Sequence, residues 1–369
     1  MGGFLVFAVG IMCAVGINGI SPSQIGLILS YTTMLTQLFD KALKSRHNNL
    51  NAVERVTEYS NAGSMPQEAS HEPTGHTIPQ GWPREGKLDI ENIFMSYRSG
   101  LPPVLKGISV SIKNGEKIGV VGRTGAGKTS LITALYRIQE LSSGVIKLDG
   151  VDTSKLGLHE LRSKIAIIPQ EPVLFQGTIR SNLDPFSEYE DAHLNDALRR
   201  AHLIDTPNTK QISDGIDQDV DADPTGEART VPATPKNRFS LDSIVDAEGA
   251  NFSVGERSLL SLARALVKSS KIICLDEATA SVDPVTDNQI QYTIQTEFSD
   301  RTLLCIAHRL RTILSYDRIC VMDAGKIVEI GPPEVLFENT AGLFRGMCDR
   351  SAITAEDIRA AVKSRELMK

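Results

Sequence analysis

The stretch Gly122-Arg-Thr-Gly-Ala-Gly-Lys-Thr129 fits the pattern GxxxxGK[ST], with the apolar run Ile118–Val121 before it and the helix-compatible run Ser130–Ile138 after it. Glycines at these spacings let the backbone wrap a phosphate with successive N–H groups pointing inward, and the helix N-terminus adds a positive dipole. We expect Lys128 to hold the β- and γ-phosphates of a nucleotide and the Thr129 hydroxyl to bind Mg²⁺. A chance glycine-rich turn is the alternative interpretation of this pattern taken alone.

A second apolar run, Lys271-Ile-Ile-Cys-Leu-Asp-Glu277, ends in two carboxylates. In a parallel sheet ligands gather at the carboxyl ends of the strands, so Asp276 is expected to meet Mg²⁺ there. Glu277, one residue further along, is placed to polarise an attacking water. The alternative is an acidic pair that merely caps the next helix, and the upstream phosphate loop argues against it.

Composition and charge exclude several classes of protein. The chain of 369 residues is 41% hydrophobic and 23% charged, as in an ordinary α/β protein, which excludes a disordered, collagen-like or disulfide-scaffold chain. Its formal net charge of -6 argues against a dedicated nucleic-acid binder, because such proteins usually carry a basic excess. The five cysteines lack CxxC spacing. Cys274, Cys305 and Cys320 lie in apolar runs, where we expect small buried hydrophobic residues.

The amino-terminal part differs from this overall composition, since Asp40 is the first charged residue. The apolar runs Met1–Ile17 and Ile25–Phe39 flank a turn-like cluster at Asn18–Pro22, and each approaches the roughly 20 residues that a helix needs to cross a bilayer. We predict a transmembrane helical hairpin, and the basic residues that follow it place the rest of the chain in the cytoplasm. A signal peptide would carry basic residues before its apolar core, and a buried soluble hairpin would show charged faces.

Composition also sets the predicted domain boundaries. These are residues 1–59 for the end of a transmembrane domain with its cytoplasmic extension, 60–86 for a linker, 87–350 for a nucleotide-binding domain and 351–369 for a C-terminal helix. The acidic segment Asp205–Lys236 has almost no large apolar residues, so burial cannot offset its ordering entropy and we expect disorder. We interpret this segment as a tolerated surface insertion. The alternative is a regulatory insert with phosphate accepted at Thr234 or Ser240.

The order of these motifs resembles the nucleotide-binding domain of ATP-binding-cassette (ABC) transporters. The stretch Asn251-Phe-Ser-Val-Gly-Glu256 is similar to the signature loop of that family, usually LSGGQ, and a helix-compatible run follows it. The resemblance implies a P-loop NTPase cassette of the α/β class, with a RecA-like core plus antiparallel β and α-helical subdomains, behind the membrane hairpin. It covers Leu88–Cys348 for the cassette and Met1–Tyr59 for the last two membrane helices.

The resemblance also implies roles for matching positions of this chain. Taken alone, Tyr97, Gln170 and His308 carry no functional signal. The implied ATP-binding residues are Tyr97, Gly122, Gly125, Ala126, Gly127, Lys128, Thr129, Ser130, Ser253, Gly255, Glu256 and Asp283. The implied Mg²⁺ ligands are Thr129, Gln170 and Asp276, and the implied catalytic residues are Glu277, His308 and Gln170. Phe252, Val254 and Glu256 depart from the signature consensus, whereas Ser253 and Gly255 keep it.

Finer features resemble the multidrug-resistance-associated class (subfamily C), and within it the second cassette. Gln170 falls at the position that the family calls the Q-loop, and Leu174–Phe186 is similar to the stretch that follows this loop in the class. Asn51–Tyr59 is similar to the exit from the last membrane helix of the class. The resemblance implies an ATPase that drives export of a small-molecule substrate from a multi-pass membrane protein with a cytoplasmic cassette. It implies a second cassette as head-to-tail partner and no nucleic-acid partner. A first cassette and further membrane helices are missing here, so we expect the C-terminal part of a longer transporter or a truncated chain.

Two other functional classes stay open at this point. One is an ATP-gated or regulatory ABC subunit that exports nothing, which Glu277 disfavours without excluding it. The other is a soluble ABC ATPase that acts on nucleic acid or ribosomes. Such a protein would lack the hairpin and tend to be basic, so the net charge of -6 and the apolar runs favour the exporter.

Overall fold

The computed structural model describes residues 7–12, 15, 21–61, 68–71, 78–98, 100–204, 238–276, 282, 284–307 and 309–368. The chain forms two compact units, residues 1–68 and residues 69–369. The whole acidic segment Asp205–Lys236 and three of the predicted site residues, Glu277, Asp283 and His308, lie outside the described residues.

The described part of the first unit contains one long helix, α1 (Pro22–Ser60). Ser21 precedes the helix, and its backbone N–H donates to Gln24 Oε1 at 2.9 Å. The helix includes the apolar run Ile25–Phe39, while the run over residues 1–17 is described only at residues 7–12, which are helical, and at residue 15. The hairpin as a whole therefore stays a prediction. Within the described ranges, no helix combines the length and the apolar character needed to cross a membrane.

The second unit is an α/β fold, as the motifs predict. Its strands are β1 (Leu88–Met95), β2 (Leu105–Ile112), β3 (Lys117–Gly122), β4 (Ser143–Leu148), β5 (Val151–Asp152), β6 (Ile165–Ile168), β7 (Gly177–Thr178), β8 (Ile244–Val245), β9 (Ile272–Asp276), β10 (Thr302–Ile306), β11 (Arg318–Asp323) and β12 (Lys326–Gly331). Its helices are α2 (Lys128–Leu135), α3 (Leu158–Lys164), α4 (Ile179–Leu183), α5 (Asp191–Arg200), α6 (Val254–Lys268), α7 (Pro284–Glu297), α8 (Leu310–Ile313), α9 (Pro333–Glu338), α10 (Leu343–Arg350) and α11 (Ala355–Met368).

The strands form two larger sheets and one short pair. The first sheet has the order β2-β1-β4-β5 and is antiparallel. The central sheet has the order β12-β11-β3-β10-β9-β6, in which β11, β3, β10, β9 and β6 run parallel and β12 is an antiparallel edge. Strand β10 is buried at every position, which explains why its sequence is a continuous apolar run and does not alternate.

Alternate residues of the central strands pack into two hydrophobic clusters, one on each face of the sheet. In β9, Ile272 and Cys274 join the cluster that contains β1, β2 and α2, whereas Ile273 and Leu275 join the cluster that contains α5 and α6. Side chains alternate along a strand, so Asp276 continues the face of Cys274. This is the face on which α2, the helix that follows the phosphate loop, is packed.

The cysteines of the central sheet are buried free thiols. Cys274, Cys305 and Cys320 belong to β9, β10 and β11. Burial raises the pKa of each of these thiols to about 12. The prediction that they serve as buried hydrophobic residues is confirmed.

These thiols are expected to react slowly with iodoacetamide in the folded protein. At pH 8, a thiol with a pKa of about 12 is thiolate in roughly one molecule in 10⁴, against about a quarter for an unperturbed thiol. The measurement is mass spectrometry of the peptides that carry Cys274, Cys305 and Cys320 after timed labelling. The same peptides labelled in guanidinium are the control, and equal labelling rates in both conditions would contradict the prediction.

Candidate functional site

The phosphate loop connects β3 to α2, and Lys128 is folded back over it. The Lys128 side chain is 6% exposed, and its Nζ donates to the carbonyl oxygens of Gly122 at 2.9 Å and Arg123 at 3.2 Å. Gly127 caps α2 with φ at 98°, a value that residues with a Cβ rarely adopt. The loop therefore combines a cation with the first backbone N–H groups of a helix, which have no partner within that helix.

A neighbouring turn supports the loop from the side of β11. Gly122 pairs with Met322, and a Cβ on Gly122 would lie 2.2 Å from the Met322 carbonyl oxygen. The backbone N–H of Gly325, in the turn between β11 and β12, donates to the Ala126 carbonyl at 3.1 Å. Sequence reasoning missed this support. Its one signal is the glycine itself, which has φ at 85° in a tight turn.

The strand register brings several predicted site residues to one edge of the central sheet. Ile306 of β10 pairs with Asp276 of β9 on one side and with Val120 of β3 on the other. Ile168 of β6 pairs in turn with Leu275. Because these strands are parallel, their carboxyl ends, and the residues that follow them, lie at the same edge.

Three oxygen-bearing side chains belong to this edge. Asp276 is half-buried at the end of β9, Gln170 is exposed two residues after β6, and Thr129 is exposed in the first turn of α2. Glu277 and His308 follow β9 and β10 in the chain but lie outside the described residues, so their roles stay predictions.

The donor set at this edge fits Mg²⁺ with phosphate. A hydroxyl, a carboxylate and an amide oxygen are hard ligands, and Mg²⁺ usually keeps waters and phosphate oxygens beside one or two carboxylates. Over the described ranges, no group of three or more His, Cys, Asp or Glu residues gathers to hold a metal. One hydroxyl, one carboxylate and one amide oxygen suit a Mg²⁺ ion that shares its coordination with phosphate oxygens and waters.

Tyr97 lies beside the start of α2. The residue is 47% exposed, and its Oη is 2.9 Å from Ser130 Oγ. The hydrogen bond fixes an accessible aromatic ring next to the phosphate loop. A ring in this position can stack on a flat base whose phosphates lie on the loop.

The residues of the signature-like stretch begin helix α6. Ser253 is the N-cap: its Oγ accepts from the backbone N–H of Glu256 at 3.2 Å, and its own N–H donates to Glu256 Oε2 at 2.7 Å. Gly255 is buried in the first turn. Glu256 also forms an ion pair with Arg238 at 3.1 Å. These contacts all fall between residues 238 and 256, and none of them reaches the phosphate loop of the same chain.

Known proteins are similar in sequence to this chain over most of its length. Residues 105–280 match the family model described as ABC transporter. The chain is 50% identical over 97% of its length to the ABC-type transporter cicA of Emericella nidulans, and 46% identical over 94% to the oligomycin resistance ATP-dependent permease of Saccharomyces cerevisiae. It is 42% identical over 94% to ABC transporter C family member 5 of Dictyostelium discoideum. The chain spans about a quarter of the length of these relatives, namely 25%, 23% and 22%.

A solved structure has a similar fold. It is described as a bacterial Atm1-family ABC exporter with ATP bound, and it superposes with a TM-score of 0.65 at 25% identity. The alignment covers 96% of this chain and 57% of the other.

Proposed function

The chain belongs to the ABC transporter family through its domain at residues 105–280, and from this premise we propose that it binds and hydrolyses MgATP to drive export across a membrane. Its relatives are named as transporters and permeases, including members of subfamily C. The resemblance to ABC cassettes of this class, inferred from the motifs, is confirmed.

The observation that carries the ATPase proposal is the common edge formed by β3, β10, β9 and β6. Lys128 lies over the loop where it would hold the β- and γ-phosphates, and the helix N-terminus adds backbone donors. Thr129, Asp276 and Gln170 would hold Mg²⁺, which when bound neutralises charge on the phosphate oxygens. Tyr97 would stack on the adenine.

Glu277 would act on the attacking water. The new bond forms between the water oxygen and the γ-phosphorus, and the bond from that phosphorus to the β–γ bridging oxygen breaks. Glu277 orients the water and accepts its proton as the bond forms, and His308 would contact the γ-phosphate from the end of β10. Both residues follow strands whose ends belong to the site.

A second cassette would complete the ATP site. A phosphate loop leaves the γ-phosphate open on one side, and we propose that the signature loop of another cassette closes it head to tail, with Asp283 at the contact. Closure and release of the two cassettes would then move membrane helices and alternate access to the substrate. The longer relatives have room for a further cassette and a membrane domain, because this chain spans only about a quarter of their length, 25% and 23% for two of them.

A multi-pass membrane location with the cassette in the cytoplasm and a small-molecule substrate belong to the same proposal. They are supported by the exporter relatives, one of which is named for oligomycin resistance, and by the basic residues after the apolar runs.

Lys128→Met is expected to lower Mg²⁺-dependent ATP hydrolysis by about 10²–10³-fold and to weaken ATP binding, because it removes the cation that holds the phosphates. The measurements are phosphate release and binding of a fluorescent ATP analogue by the full chain. Lys155→Met is the matched control, since this exposed lysine follows the edge strand β5 and pairs with Asp152 at 3.9 Å. Equal activity of the Lys128→Met and unmodified chains would refute the ATPase proposal.

A further inference from the structure

Arg238 connects three parts of the segment that leads into α6. Its Nη2 donates to the carbonyl oxygen of Asn251 at 2.5 Å, and its Nη1 lies 3.1 Å from Glu256 Oε1. Its guanidinium carbon lies 5.5 Å from the ring centroid of Phe252, which is 6% exposed and stacks on Phe239. One side chain therefore contacts the backbone, the acid and the buried aromatic residue of the signature loop.

The Glu256 carboxylate lies in the first turn of α6, at the helix N-terminus, where the helix dipole favours anions. One of its oxygens accepts the backbone N–H of Ser253 at 2.7 Å, and the other faces Arg238. An acid is favourable at a helix N-terminus in the isolated chain. A phosphate that approaches Ser253 would, however, meet this negative charge at short range, and like charges a few ångströms apart repel.

The ion pair of Arg238 with Glu256 compensates for one departure from the signature consensus, the acid at position 256. The usual glutamine at this position can form the same bond to the N-cap N–H without carrying a charge. With Glu256 in its place, the capping bond is kept but a charge is added. Arg238 supplies the opposite charge and makes the loop locally neutral.

We propose that Arg238 is a positioning residue for the composite ATP site: it neutralises Glu256 and fixes the signature loop, so that Ser253 can meet the γ-phosphate of ATP held on an opposing cassette. This inference rests on the proposed function and extends it to a residue outside the signature stretch. Arg238 itself acts through Glu256 and need not touch the nucleotide.

The test uses two copies of the full chain that share one intact composite site. One copy carries Lys128→Met and supplies only a signature loop, and the other carries Ser253→Arg and supplies only a phosphate loop. ATP hydrolysis by the mixture, above the sum of the separate rates, reports the composite site. When Arg238→Gln is added to the first copy, it can change this rate only through the signature loop.

Arg238→Gln is expected to lower the rate of the mixture about tenfold, because the charge of Glu256 is left uncompensated at a partly exposed position. Adding Glu256→Gln to the same copy is expected to restore the rate to within about threefold, because the amide keeps the capping bond without the charge. Recovery cannot come from packing, since the double variant lacks the same contacts of Arg238 with Phe252 and Asn251.

Arg345→Gln is the matched control. Arg345 also pairs with an acid, Asp349 at 2.8 Å, and lies over an aromatic ring, Phe337 at 4.2 Å, but it belongs to α10. The rate of a mixture that carries this change should be that of the unmodified pair.

Three results would overturn the inference: a double variant as slow as Arg238→Gln alone, an effect of Arg238→Gln no larger than that of Arg345→Gln, or no gain on mixing copies that have an unmodified Arg238. ATP binding by the Ser253→Arg copy alone, followed with a fluorescent analogue, distinguishes failure of this inference from failure of the proposed function. Normal binding in any of these three cases leaves the nucleotide site of the proposed function standing, whereas absence of binding removes the proposed function and this inference with it.

Discussion

Glu277→Gln is expected to leave ATP binding within about twofold of the unmodified chain and to lower ATP turnover by about 10²–10⁴-fold. Glu277 directly follows Asp276, the last residue of β9. Strand β9 lies between β6 and β10 in the central sheet, and its carboxyl end lies at the edge where the phosphate loop begins. The amide has the shape of the carboxylate but cannot take a proton from water. Binding depends on the loop and Lys128, which the substitution leaves in place.

The two quantities are measured on the full chain, by fluorescent ATP binding and by phosphate release at saturating MgATP. Glu338→Gln, the same change at an exposed residue at the end of α9, is the control and should leave both unchanged. Turnover near the unmodified value would show that another group activates the water. Loss of binding and turnover together would mean that the carboxylate supports the loop and has no role limited to hydrolysis.

Gly122→Ala is expected to lower the free energy of unfolding by about 3 kcal/mol and to weaken ATP binding about 100-fold. The added Cβ would lie 2.2 Å from the carbonyl oxygen of Met322, which belongs to the backbone of the adjacent strand and cannot move aside as a flexible side chain can. Either β3 and β11 separate or the start of the loop shifts, and both displace the backbone N–H groups that would face the phosphates.

Chemical denaturation and ATP titration test this prediction on the full chain. Gly346→Ala is the matched control, because Gly346 lies inside α10 and the added Cβ would have only the neighbouring backbone of its own helix within 4 Å. That variant should be unchanged or more stable by about 0.5–1 kcal/mol, owing to the higher helix propensity of alanine. A Gly122→Ala chain that unfolds and binds ATP like the unmodified protein would contradict the close approach of these strands.

Much of the site could be predicted from the sequence because its signals are local. The spacing from Gly122 to Thr129, with a strand before and a helix after, defines a phosphate loop within one short, contiguous stretch of sequence. The apolar run that ends in Asp276 predicts a buried parallel strand with an acid at its carboxyl end, and β9 has that form. The α/β fold follows from the alternation of such runs with helix-compatible segments.

The contacts that support these motifs could not be predicted in this way. The bond from Gly325 to Ala126 joins residues far apart in the chain, and neither residue carries a motif that points to the other. Arg238 is one basic residue among many. Its contacts with Phe252 and Glu256 depend on the backbone path between residue 238 and the start of α6. No periodicity or spacing in the sequence predicts this backbone path.

By itself, the sequence determined the chemistry of this protein: glycines free to bend around a phosphate, a lysine and a hydroxyl at the start of a helix, and an acid at the end of a strand. These depend on residue type and on spacing over short distances, which the covalent chain fixes. Only the tertiary structure decided that β3, β10, β9 and β6 end at one edge, that Met322 and Gly325 support the loop, and that Arg238 neutralises Glu256. Those relations depend on strand order and side-chain packing, which are set by the burial of the whole core and by no single segment.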